Sequence, residues 1–129
     1  MNELNSKRND AGHLEFYDAD GNLAKILYTT GTTVFYKNGE IHRDNDLPAV
    51  VDPNNETWYQ NGLIHRDGGA AIIFYELGRP VQQFWLQHGV RHREDGPAIE
   101  HLEEHRKAYD CYFIDGVLLT KDEFETNGY

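Results

Sequence analysis

Three His-Arg pairs, His42-Arg43, His65-Arg66 and His92-Arg93, carry the most chemistry per residue in this chain. Imidazole and guanidinium side chains in regular rows can hold a phosphate or a carboxylate, Arg doing so with a planar, two-pronged donor set. The same rows can equally serve the packing of the chain itself. Each Arg is followed at once by acid, in Asp44, Asp67, and Glu94 with Asp95. A ladder of like charges needs such partners. Other catalytic signatures are thin. His101-Leu102-Glu103-Glu104-His105 has the inverted zincin spacing, but that chemistry needs a helix with a third ligand. Here it falls where sister segments carry a strand and a turn, so it reads as a chance match. The single Ser is Ser6 in the polar start, and the lone Cys111 lies in an expected strand as a small core residue. No catalytic residue, metal or cofactor is expected.

The elements that hold these pairs repeat. Phe35-Tyr36-Lys37-Asn38-Gly39-Glu40-Ile41-His42-Arg43 aligns with Trp58-Tyr59-Gln60-Asn61-Gly62-Leu63-Ile64-His65-Arg66 and with Trp85-Leu86-Gln87-His88-Gly89-Val90-Arg91-His92-Arg93. A small-residue bend follows each, at Leu47-Pro48-Ala49, Gly69-Ala70-Ala71 and Gly96-Pro97-Ala98. A degenerate copy starts at Tyr112-Phe113-Ile114-Asp115-Gly116, and a weak one precedes at Phe16-Tyr17-Asp18-Ala19-Asp20-Gly21. Asn-Gly or Asp-Gly between aromatic and branched residues is a hairpin turn, because a type I′ turn needs φ > 0 twice. After each bend an apolar strand follows, then a second turn at 52–55, 77–80 and about 103–107. The fold expected is mainly all-β, with antiparallel hairpin repeats forming an elongated twisted sheet or an open β-solenoid. Thr120-Lys121-Asp122-Glu123 is a capping box, which predicts a short C-terminal helix shielding the last repeat.

Two aromatic columns run through the repeats, Phe35, Trp58, Trp85, Tyr112 and Tyr36, Tyr59, Leu86, Phe113. Neighbouring residues of a strand face opposite ways. One column is therefore buried and the other is open to a partner, which makes Tyr36, Trp58, Tyr59 and Trp85 candidate partner-binding residues. Acids number 22 against 12 Lys plus Arg, for a net −10. That balance excludes a general nucleic-acid or anionic-membrane binder, since both need a basic footprint. No apolar run approaches a membrane span, and the polar Met1–Gly12 start predicts no secretory leader. The expected organisation is one domain, 1–129. It comprises a polar segment 1–12, a weak hairpin 13–33, repeats 34–116 and a cap 117–129.

These residues resemble the MORN-like repeat variants common in tailed-phage and giant-virus proteins, whose unit reads roughly W-Y-x-N-G-x-x-H-R-x-x-G-P-A. The likeness covers about residues 34–119, and is close at Trp58–Arg66 and His92–Ala98. It departs at Asp46-Leu47, where a residue is inserted and Gly is missing, and at Gly69-Ala70, where Pro is missing. It is lost at Leu119-Thr120. The resemblance implies hairpin repeats, a phage or viral origin and no enzymatic activity. The function expected is a non-enzymatic protein binder in the host cytoplasm, most concretely an inhibitor of a host defence or nucleic-acid-processing protein of the anti-restriction or anti-CRISPR type. The turn acids Asp44, Asp46, Asp67, Glu94, Asp95, Glu103 and Glu104 would dock on a basic groove. The alternative is a small-molecule or nucleotide binder that stacks on the aromatics and holds phosphate with the Arg row. Exposed sheet edges would also permit a homodimer.

Overall fold

A computed structural model describes residues 5–127 of the chain. It is β-rich, and every strand pairing is antiparallel, because each connection is a turn or a short corner rather than a crossover helix. The main sheet runs in order through β1 (Asn5–Arg8), β2 (Leu14–Tyr17), β3 (Leu23–Leu27), β4 (Thr33–Lys37), β6 (Val50–Asp52), β7 (Asn55–Thr57), β10 (Ile72–Glu76), β11 (Arg79–Phe84) and β14 (Ile99–His101). It is open, with β1 and β14 at its two ends, and forms no barrel. The polar start thus supplies an edge strand, and its four exposed residues include Lys7 and Arg8. Charged side chains of that kind blunt an edge against further pairing.

Small hairpins branch from this sheet, one per repeat. β5 (Glu40–Ile41) folds back on β4, β8 (Tyr59–Gln60) pairs β9 (Leu63–Ile64), β12 (Leu86–Gln87) pairs β13 (Val90–Arg91), and β15 (Tyr112–Ile114) pairs β16 (Val117–Leu119). Each turns on the expected pair, with φ of +53° and +79° at Asn38-Gly39 and +50° and +83° at Asn61-Gly62. His88-Gly89 and Asp115-Gly116 take the same conformation. Asp20-Gly21 does not: only Gly21 has positive φ, and Asp18 closes the loop by bonding Asn22 and Gly21. A fifth such residue–glycine pair among the described residues is unexpected, Leu77 at +50° followed by Gly78 at +76° between β10 and β11.

The third repeat also departs from expectation. Where a turn was expected at 103–107, a 3₁₀ helix covers Glu104–Tyr109, and Cys111 then closes the sheet through a single bridge to Ile99. Helix α1 (Lys121–Thr126) ends the fold, with both halves of the Thr120–Glu123 capping box made. Among the described residues no helix is long and apolar enough to cross a membrane.

The core is a thin seam rather than a wide interior. Ala49, Ala71 and Ala98 are completely buried, and Trp58, Leu86, Val34 and Phe124 are nearly so. Alanine at each corner lets the backbone of the small hairpin lie directly against the main sheet.

Candidate functional site

Each repeat builds the same corner. The aromatic residue where the chain leaves the main sheet for the small hairpin donates its N–H to the carbonyl of the buried alanine, from Phe35 to Ala49, Trp58 to Ala71 and Trp85 to Ala98, at 2.7–2.8 Å. Its own carbonyl accepts from the repeat's His N–H, at 3.0 Å in all three cases. The Arg then folds back over the aromatic ring. The guanidinium carbon lies 3.8 Å from the Phe35 centroid for Arg43, and 3.9 Å from Trp58 and Trp85 for Arg66 and Arg93. Each guanidinium also donates to the carbonyl just before the buried alanine, at Pro48, Ala70 and Pro97. Room for this comes from glycine: a Cβ at Gly69 or Gly96 would meet the guanidinium at 3.0 or 2.9 Å. The first corner has Leu47 there, and accommodates it with one extra residue.

The histidines stitch neighbouring hairpins together. Nδ1 of His42, His65 and His92 accepts the backbone N–H of Asn61, His88 and Asp115, at 2.9–3.0 Å. Those donors are the first turn residues of the next hairpin. Beside each, the turn glycine donates to the preceding strand, from Gly62 to Ile41, Gly89 to Ile64 and Gly116 to Arg91. Because Nδ1 accepts, the proton sits on Nε2, which donates to Asp44 from His42 and to Asp67 from His65. Both rings are buried, at 7% and 6% exposure. The rows that could have gripped an anion are engaged by the fold, His between repeats and Arg over its own ring, with Arg66 also bonding Asp46 of the repeat before.

The aromatic candidates sit inside the same arrangement. Trp58 is buried under Arg66, with its indole N–H donating to the Asp46 carbonyl. Trp85 is half-buried under Arg93, and its indole N–H has no acceptor among the described residues, because the preceding corner is one residue shorter. Tyr36 is half-buried, and burial together with the Tyr28 phenol pushes its proton affinity up. Tyr59 is half-buried as well.

The predicted acids divide into two groups. Asp44, Asp46, Asp67, Glu94 and Asp95 line the outside of the corners, with Asp67 and Asp95 side chains 90% and 80% exposed. Asp46 bridges back from the first corner to Arg66 through two bonds of 2.9 and 3.2 Å, which hold its carboxyl below the usual range. His42 and then Lys37 do the same for Asp44. Arg93 bonds Asp95 and Glu100. Glu103 and Glu104 lie elsewhere, at the start of the 3₁₀ helix, beside the β10–β11 turn. His101 is held by Asp110 at 3.0 Å, and the H-x-x-E-H residues do not converge; no group of three metal-ligating side chains forms among the described residues.

Two features escaped the sequence reading. Leu63, Val90 and Val117 are exposed apolar residues that recur along the hairpins, signalled only by the position after each turn glycine. Leu77 stands fully exposed at the tip of the β10–β11 turn, with a positive φ that the small-hairpin turns give to Asn, His or Asp. No protein-family model, curated protein or solved structure matches the chain.

Proposed function

We propose that this chain is a non-enzymatic repeat protein that acts by occupying another protein, in its most concrete form the phosphate-binding groove of a host defence or nucleic-acid-processing protein. The supporting observation is the division of charge at the corners. The guanidinium groups fold inward over aromatic rings, while the carboxylates beside them face water. Each repeat adds two strands to the main sheet, so this acidic edge recurs at about 9–10 Å, twice the strand spacing. A regular outward row of carboxylates on a chain of net −10 suits a basic groove, and steers the encounter electrostatically.

Affinity capture from the natural host tests the reading. The expected result is one retained nucleic-acid-binding protein, released by rising salt and by competing duplex nucleic acid. A melting screen against nucleotides and inorganic anions should stay flat. A ligand at a hundred times its dissociation constant would add about 2.7 kcal/mol, and such a rise, with no protein retained, would replace this proposal with a small-molecule binder.

A further inference from the structure

Leu77 breaks two rules at once. It is 100% exposed, and its φ of +50° lies in the left-handed region, where Asn, Asp and Gly are the low-cost occupants. The four small-hairpin turns, which share its pair of positive φ values, place Asn38, Asn61, His88 and Asp115 at the corresponding residue. Nothing in the fold rewards leucine there. A Cβ built on the adjacent Gly78 would meet no atom within 4 Å, so the tip stands clear of the molecule. The hairpin also outreaches its neighbours: the last backbone bonds to either side are Tyr75 N–H to the Asn54 carbonyl and Leu102 N–H to the Val81 carbonyl, which leaves residues 76–80 beyond them. Beside the tip, Leu77 itself and Leu102 share one cleft with Glu76, Arg79, Glu103 and Glu104, three acids and a single base.

We infer that Leu77 is the anchor of a docking surface, inserting into an apolar pocket of a partner protein whose rim carries Lys or Arg facing Glu76, Glu103 and Glu104. The inference rests on the reading of the chain as a protein binder, and names the surface and the partner chemistry. An exposed apolar side chain ringed by charge has the anatomy of an interface centre, where one well-placed residue supplies much of the affinity. The net −10 argues for a basic partner and against a second copy, which would bring the acidic collar against another acidic surface.

Leu77→Asn separates binding from folding, since Asn tolerates the left-handed conformation; Leu77→Gly provides a second variant of the same kind. Wild-type chain, both variants and Glu103→Lys/Glu104→Lys are immobilised against one extract of the natural host, and the partner held by wild type is purified for kinetics. Melting temperatures of Leu77→Asn should be equal to or above wild type, with affinity lower by roughly tenfold or more, mostly through faster dissociation. The double Lys variant should associate more slowly, with a weaker salt dependence. A partner that binds Leu77→Asn as tightly as wild type overturns the inference and leaves the protein-binding reading intact. No protein held by wild type overturns both. Self-association of wild type that Leu77→Asn abolishes overturns the partner assignment in favour of a second copy.

Discussion

The unit around Trp58 and the unit around Tyr112 begin alike and end differently. Both turn a small hairpin on a residue pair with positive φ, and both receive the stitch from the histidine before them. In the Trp58 unit the chain continues as His65-Arg66. Arg66 covers the ring, and His65 reaches forward to the next hairpin. In the Tyr112 unit the same positions are Leu119-Thr120, α1 follows among the described residues instead of a hairpin, and its Phe124 lies over Tyr112 with centroids 4.6 Å apart. His is thus present where another repeat must be attached and absent where α1 follows. Arg and Phe124 perform one task, covering an aromatic ring, with different chemistry. The His-Arg pair is a joining device, which explains its regularity without any ligand.

The comparison breaks most readily at the ring itself. Trp58→Ala removes a buried indole together with the Arg66 platform, and should cost about 3–5 kcal/mol by denaturant unfolding. An unchanged midpoint would mean the corner is not the core. His65→Leu tests the joining role: it copies the terminal residue into an internal unit, and leaves the His88 N–H unpaired. A loss of about 1–3 kcal/mol is expected, whereas Leu119→His should gain nothing, because α1 follows in place of a hairpin. If the two substitutions have equal effects, position in the array does not matter and the comparison fails. Thr120→Ala removes one half of the capping box and should cost about 0.5–2 kcal/mol. It should also loosen Phe124 over Tyr112, visible as a change in near-ultraviolet circular dichroism.

The smallest effect sharpens the contrast outside the corners. Burial and then the hydrogen bond to Glu56 push the Tyr75 phenol up to about 12. Tyr75 should therefore titrate late in an absorbance titration, in a slow group with Tyr17 and Tyr36, whose phenols are also pushed up, and Glu56→Gln should bring Tyr75 back toward the ordinary range. The folded state holds this proton more tightly than the unfolded chain, so its contribution to stability is complete below pH 10 and is lost between 10 and 12. At the acid end the sign reverses: the lowered carboxyls of Asp44 and Asp46 support the fold above their ordinary range, and that support fades as pH falls below about 4.

Local chemistry made much of this legible. Asn38-Gly39, Asn61-Gly62 and Asp115-Gly116 announce hairpins because few residues tolerate their conformation, and Thr120 with Glu123 announces a helix start. The direction in which Arg66 and Arg93 fold was not legible, since it depends on the missing Cβ of Gly69 and Gly96 a few residues away. The 3₁₀ helix at Glu104–Tyr109 was missed by extending the repeat pattern over Glu104-His105-Arg106-Lys107-Ala108, which contains no β-branched residue and favours helical turns. The acids were found as a set, but only the three-dimensional arrangement parts Glu103 and Glu104 from the corner row.

The stitch between hairpins has a direction: turn N–H groups always donate backward, to an imidazole and a carbonyl of the hairpin before. The backbone and imidazole bonds of every internal junction are therefore the same. Recombination between two such junctions, at the 27-residue spacing of Gly62, Gly89 and Gly116, adds or deletes a whole unit without creating a junction of a new kind. Lineages carrying this architecture can change the length of the array, and with it the reach of the acidic edge, in one genetic step.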